Sequence, residues 1–148
     1  MAEIKKVVTD WLEEDGWNYS TDDERVHTGL TVDDHVYRIL FRIRQEQQVL
    51  AVYAYAPENA SMENLQEASN FVTRANYALP LGNFELDFND GELRFKLSVD
   101  LEHLVCTPLV IQNMVRTVVN TLHRYYPAFA ELNTGIITVK QAIEKAEA

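Results

Sequence analysis

"GNFELDFNDGELRFK", residues 82–96, is dense in carboxylates around Asn89, Asp90 and Gly91. It reads either as a metal loop or as a turn between strands. A calcium loop of the EF-hand type needs oxygen ligands at positions 1, 3 and 5 and glycine at position 6. With Gly91 at the glycine position, the ligand positions fall on Leu86, Phe88 and Asp90. Two of these are apolar, and starting at Glu85 or Asp87 puts Asp90 or Glu92 where glycine is required. The hairpin reading fits better. Asp-Gly is a strong signal for a two-residue type I′ turn, in which both central residues take positive φ. With Asp90-Gly91 as the loop, Phe88 faces Leu93, Asp87 faces Arg94, Leu86 faces Phe95, Glu85 faces Lys96 and Phe84 faces Leu97. Apolar residues then meet on one face and opposite charges on the other. The carboxylates belong to a solvated sheet face.

Working outward, the rest of the chain alternates between the two periodicities. Upstream, "RVHTGLTV" (25–32), "HVYRILFRIR" (35–44) and "QVLAVYAYA" (48–56) are rich in β-branched and aromatic residues and read as strands. Asp33-Asp34 and Gln45–Gln47 supply the turns, and "WNYST" (17–21) offers a short opening strand. A helix over 2–15 carries Ile4, Val7, Val8, Trp11 and Leu12 at helical spacing and ends near Gly16. A second helix spans about 61–78, with Ser61 as cap and Pro80 and Gly82 as stop signals. Thr107-Pro108 is a cap followed by a first-turn proline, and starts a long helix expected to end near Tyr126, before Pro127. A short helix over about 138–147 closes the series. The expected fold class is α+β: an antiparallel sheet packed against helices, in the order α-β-β-β-α-β-β-α, as a single domain over 1–148.

Composition sets outer limits. The chain has 148 residues, 47% of them hydrophobic, enough for an ordinary core. Its net charge of −10, from 13 basic and 23 acidic residues, disfavours nucleic acid and anionic membranes as general partners. No run of about eighteen apolar residues provides a membrane span, and the charged N-terminal stretch lacks a signal-peptide core. A cytoplasmic location is expected. One cysteine, Cys106, permits no internal disulfide and no cysteine metal cluster. Cys106 precedes a helix N-terminus, a place that can activate a thiol, but no His-Asn or CxxC context supports that role. His27, His35, His103 and His123 show no metal-ligand spacing, and the five glycines form no phosphate loop. No cofactor is expected.

Two features exceed what a plain core needs. Arg38, Arg42 and Arg44 share one face of the strand 35–44, with Leu40 between them. They form either a solvated face paired with nearby carboxylates or a partner-binding surface that includes Tyr53 and Tyr55. The register of 35–44 against 48–56 decides whether those tyrosines join them, and the sequence leaves it open. The long helix has a wide apolar stripe including Ile111, Met114, Val115, Val118 and Leu122. That stripe serves either a deeply buried helix or a helix shared with a second copy in a homodimer.

The run "FVTRANYALPLGNFELDFNDGELRFKLSVDLE" (71–102) followed by "TPLVIQNMVRTVVNTLHRYYPAF" (107–129) resembles the YbjN family, whose members carry the description of bacterial sensory transduction regulators, and within it the cyanobacterial-type branch. The resemblance covers about residues 2–143. It rests chiefly on Asn76-Tyr77, Gly82 to Asp87, Asp90-Gly91-Glu92 and Tyr125 to Pro127. It implies the fold of type III secretion chaperones, often dimeric, and no agreed catalytic or ligand residues. The expected function is a non-enzymatic protein-binding module of chaperone or adaptor type, regulatory in bacterial stress or signalling, with a protein or peptide partner. The alternative is a small-molecule sensor with a pocket between sheet and helices. An enzyme using Glu85 or Asp87 is disfavoured because both fall on the hairpin's solvated face.

Overall fold

In the computed structural model, which describes residues 3–148, six antiparallel strands form one sheet with all helices on one side. The elements are α1 (Ile4–Glu14), β1 (Ser20–Asp22), β2 (Arg25–Val32), β3 (His35–Arg44), β4 (Val49–Tyr55), α2 (Leu65–Ala78), β5 (Asn83–Leu86), β6 (Leu93–Asp100), α3 (Pro108–Asn133) and α4 (Val139–Glu147). The sheet order is β1-β2-β3-β4-β6-β5. Ala2 of the expected first helix lies outside the described residues.

β4 sits in the middle and is buried on both faces, which explains its unbroken apolar run VLAVYAY. β2 and β3 are joined by Asp33-Asp34, both at positive φ, and Val32 pairs with His35. This is the two-residue hairpin that primed turns favour. One sheet face carries Phe41, Val52 and Phe95, which share one core with Val118 and Leu122 of α3, all 0% exposed. α1 packs on β2, β3 and α3; α2 packs on β5, α3 and α4.

Three expectations need correction. The β5–β6 hairpin is slipped by two residues: Leu86 pairs with Leu93, Glu85 with Arg94 and Phe84 with Phe95. The loop is therefore Asp87–Glu92, closed by the Asp87 amide donating to the Glu92 carbonyl (2.9 Å). A slip of two preserves the faces, so the charge alternation survives, but Phe88 ends half exposed in the loop. Of Asp90 and Gly91 only Gly91 takes positive φ. The Asp87 and Asp90 carboxylates accept from the Asn89 and Glu92 amides and hold the wider loop. Second, α2 begins at Leu65 after a single 3₁₀ turn, Met62–Asn64; Ser61 Oγ accepts from the Asn64 side chain instead of a backbone amide. Third, α3 runs through Pro127 to Asn133. An interior proline costs about 3 kcal/mol, whereas burying a Phe or Leu side chain returns about 1.5–3 kcal/mol each. Phe129 and Leu132 are both buried in the added turns. Thr107 and Thr138 cap α3 and α4 by accepting from Val110 and Gln141 amides.

The widened hairpin loop has a partner. The Ala60 amide donates to the Gly91 carbonyl (2.7 Å), and Asn59 Nδ2 to the Asp90 carbonyl (3.2 Å). Asn133, at the end of α3, joins the same cluster. Its Oδ1 accepts from the Ser61 amide (2.7 Å), its carbonyl accepts from Asn64 Nδ2 (2.8 Å), and its Nδ2 donates to the Asn59 carbonyl (3.1 Å). A Cβ on Gly91 would lie 2.2 Å from the Ala60 carbonyl oxygen, and φ there is +80°. Gly91→Ala is expected to destabilise the fold by about 2–4 kcal/mol, since strain and backbone clash add. Urea unfolding followed by circular dichroism reads it, and a loss below about 1 kcal/mol would contradict the seating of this loop.

Candidate functional site on the open sheet face

Strand pairing settles which residues share the face away from the helices. Arg38 pairs with Tyr55, Leu40 with Tyr53 and Arg42 with Ala51. Tyr55 in turn pairs with Arg94, and Tyr53 with Lys96, across β4–β6. Arg25 and His27 pair with Arg42 and Leu40 across β2–β3. Directly opposed residues of antiparallel strands project to the same side, so Arg38, Arg42, Arg44, Tyr53 and Tyr55 do share one surface. Ala51, Tyr53 and Tyr55 form a small apolar cluster there, separate from the main core, with Leu40 at its margin.

Each tyrosine lies under a guanidinium group. The Arg38 carbon sits 4.6 Å from the Tyr55 ring centre and that of Arg94 4.3 Å from Tyr53, the geometry of cation–π contact. The two rings are 6.3 Å apart. Arg94 Nε also donates to Glu85 Oε1 (2.8 Å) and its Nη1 to the Tyr55 hydroxyl (3.5 Å). Burial disfavours its charge, but these two bonds carry the Arg94 pKa net upward. Arg38 reaches Glu92 at 3.7 Å, and Lys96 reaches Glu85 at 4.0 Å. The tyrosines are thus 8% exposed each without any backbone element covering them; long basic side chains lie over them. A cleft of about 270 Å³ opens beside Arg38, Leu40 and Tyr55, lined also by His27 and Glu92.

Sequence reading found the arginine stripe and the tyrosines but missed Arg94, Lys96 and Glu92. The hairpin pattern had matched Arg94 to Asp87. Nothing local says that β6 returns beside β4 after a helical crossover. Also missed was a link between the β2–β3 turn and α3: His123 Nε2 bonds Asp33 Oδ2 (2.9 Å), and its Nδ1 bonds the Tyr37 hydroxyl (2.7 Å).

The dimer positions are corrected. Ile111, Met114, Val115, Val118 and Leu122 are 0–5% exposed within one chain and pack in its own core. These side chains lie between sheet and helices, the region where a sensor pocket was expected. Cys106 is half-buried, and burial pushes its thiol pKa up, the opposite of activation. The Asp87 and Asp90 carboxylates serve backbone amides. Among the described residues, no group of three or more His, Cys, Asp or Glu is arranged to hold a metal ion.

A family model described as "Putative bacterial sensory transduction regulator" matches residues 5–131. The chain belongs to the YbjN family. Among solved structures, this YbjN-family chain is similar to YbjN from E. coli, described as "a putative transcription regulator", with a TM-score of 0.62, 15% identity, and coverage of 78% of this chain and 83% of that one. It is also similar to the HopA1-SchA chaperone-effector complex (TM-score 0.50, 13% identity, 80% and 89% covered). The ExsC-ExsE complex matches at a TM-score of 0.50 and 16% identity, with 81% and 90% covered. At these identities the likeness speaks for the fold, an α+β architecture similar to that of type III secretion chaperones. No curated protein matches by sequence.

Proposed function

We propose that this YbjN-family chain is a non-enzymatic protein-binding module of chaperone or adaptor type. It holds a peptide segment of a partner on the open sheet face and acts in bacterial signalling or stress regulation. The observation that carries this reading is the one-sided sheet. Its helix-free face keeps Tyr53 and Tyr55 beneath long basic side chains, a cover that a partner can displace to take the rings. Tyrosine and arginine are the residue types that dominate binding energy at protein interfaces. Two structures of similar fold are complexes of a protein with its partner, one of them a chaperone with an effector. Pairing of two copies is part of the proposal. It uses a surface other than Ile111, Met114, Val115, Val118 and Leu122. A cytoplasmic location is likewise proposed; no helix among the described residues is long and apolar enough to cross a membrane.

A photo-crosslinking amino acid at Leu40, on the open face, is expected to trap a discrete partner adduct in cells. The same group at Glu144, exposed on α4, is expected to trap none. Equal trapping at both sites, or trapping at Glu144 alone, would overturn this placement.

A further inference from the structure

The open face of a chain with net charge −10 carries Arg25, Arg38, Arg42, Arg44, Arg94 and Lys96. From this we infer that the partner segment is acidic, an extended peptide whose carboxylates are received by the Arg25–Arg42–Arg44 corner while its apolar side chains lie toward Tyr53 and Tyr55. The inference rests on the reading above and adds the chemistry of the occupant.

The corner holds its arginines without close ion pairs. Arg25 lies directly opposite Arg42 in the β2–β3 ladder, where like charges repel, and opposite Asp22 in the β1–β2 ladder. Arg44 follows two residues on, on the same face. Among the described residues none of the three has a carboxylate within 4.0 Å. Three of the nearby acids are engaged elsewhere. Asp22 holds His27 (2.9 Å), Glu24 accepts from the Gln45 amide (2.9 Å), and Glu85 holds Arg94 and Lys96. A cleft of about 290 Å³ opens at this corner, lined by all three arginines and by Asp22, Asp23 and Glu24. Arginines left without a close carboxylate mark where an external partner supplies one.

Geometry matches an extended peptide. Alternate residues on a strand recur about 6.6 Å apart, which is the spacing of Arg42 and Arg44 along β3 and of every second side chain in a bound strand. A peptide that alternates Glu with an apolar residue therefore presents carboxylates at the right repeat. Guanidinium groups take carboxylates in bidentate fashion. Over a Debye length of about 8 Å at physiological salt, the distant acidic surface is screened, so the three arginines and the cleft's own Asp22, Asp23 and Glu24 set the local field. A nucleic-acid strand shares the negative charge, but its many phosphates extend past the corner onto that acidic surface.

The test uses the purified full chain and fluorescein-labelled peptides alternating Glu, Gln or Lys with Val, with labelled oligothymidine beside them, read by fluorescence anisotropy. The Glu-Val peptide is expected to bind tightest. The double variant Arg42→Glu/Arg44→Glu is expected to weaken it by about tenfold or more, and added salt to weaken it similarly. Equal binding of the Glu and Gln peptides, or no binding of either, overturns the acidic assignment. Oligothymidine binding as tightly as the Glu-Val peptide overturns it in favour of nucleic acid. Because the crosslink at Leu40 requires no particular partner charge, adducts there with indifferent peptides would sink this inference alone, whereas their absence would sink the reading beneath it.

Discussion

Val118→Glu is expected to unfold the chain. Val118 is 0% exposed, on the helix α3 that packs on β4 and β6, and shares one core with Val52, Phe95 and Leu122. The substitution removes an apolar side chain from a packed interior and adds a carboxylate with no cationic partner there. Its pKa must rise or the site must open to water. Either route costs on the order of 5 kcal/mol, comparable with the whole stability of a small domain. The sequence alone made the same residue attractive as a dimer contact, where a glutamate would split two folded copies. The two views separate cleanly in light scattering combined with circular dichroism. Loss of the helical signal, or aggregation, is the expected outcome. A well-folded species of 17.0 kDa arising from a parent of twice that mass would show that α3 had been exposed after all.

Stability is also expected to collapse between pH 10 and pH 12, through two tyrosines. Tyr37 is 0% and Tyr125 1% exposed. Burial pushes the Tyr37 hydroxyl up from 10.0 to about 12, with the Tyr126 hydroxyl and the Asp33 charge adding to it. Burial does the same for Tyr125, to about 12, helped by the bond its hydroxyl donates to Glu147 (2.8 Å). The unfolded chain loses these protons near pH 10, whereas the folded chain keeps them until about pH 12. The stabilisation from the neutral hydroxyls is therefore complete below pH 10 and disappears as pH climbs through that window. At about 1.4 kcal/mol per pH unit and group, the total loss approaches about 5 kcal/mol. Urea midpoints at pH 8, 10 and 11.5 measure it, with absorbance at 295 nm reporting ionisation. Tyr37→Phe and Tyr125→Phe together are expected to flatten the profile. An undiminished midpoint at pH 11.5 in the parent would contradict the burial of both rings.

Element types were legible because the periodicities are clean. The arginine stripe was visible for the same reason: Arg38, Arg42 and Arg44 recur at even spacing within one strand. Turn width was less legible. Asp33-Asp34 does form the tight turn, but Asp90-Gly91 does not, because the backbone of Ala60 binds Gly91 and draws the loop open. No local pattern carries that contact. Pro127 misled for a related reason. Its local cost is real, and only the distant surfaces met by Phe129 and Leu132 outweigh it. The site was half legible: β3 and β4 are neighbours in sequence, while Arg94 and Lys96 arrive from a strand on the far side of a helix.

The asparagine cluster around Asn133 has a bearing on how the chain folds. It joins α3 to Asn59, Ser61 and Asn64, about half a chain length upstream, and Asn59 in turn holds the hairpin tip at Asp90. Such closures bring an entropy penalty that local hairpins avoid. During synthesis β1 to β4 can assemble early as consecutive hairpins, but the crossover before α2 stays untethered until the end of α3 has emerged. The nascent chain therefore passes through a stage in which the β4 edge awaits β6, with unpaired backbone groups and apolar side chains in water. Folding of this chain should consequently be paced by its last third, and truncations before Asn133 should yield aggregating fragments instead of smaller stable domains.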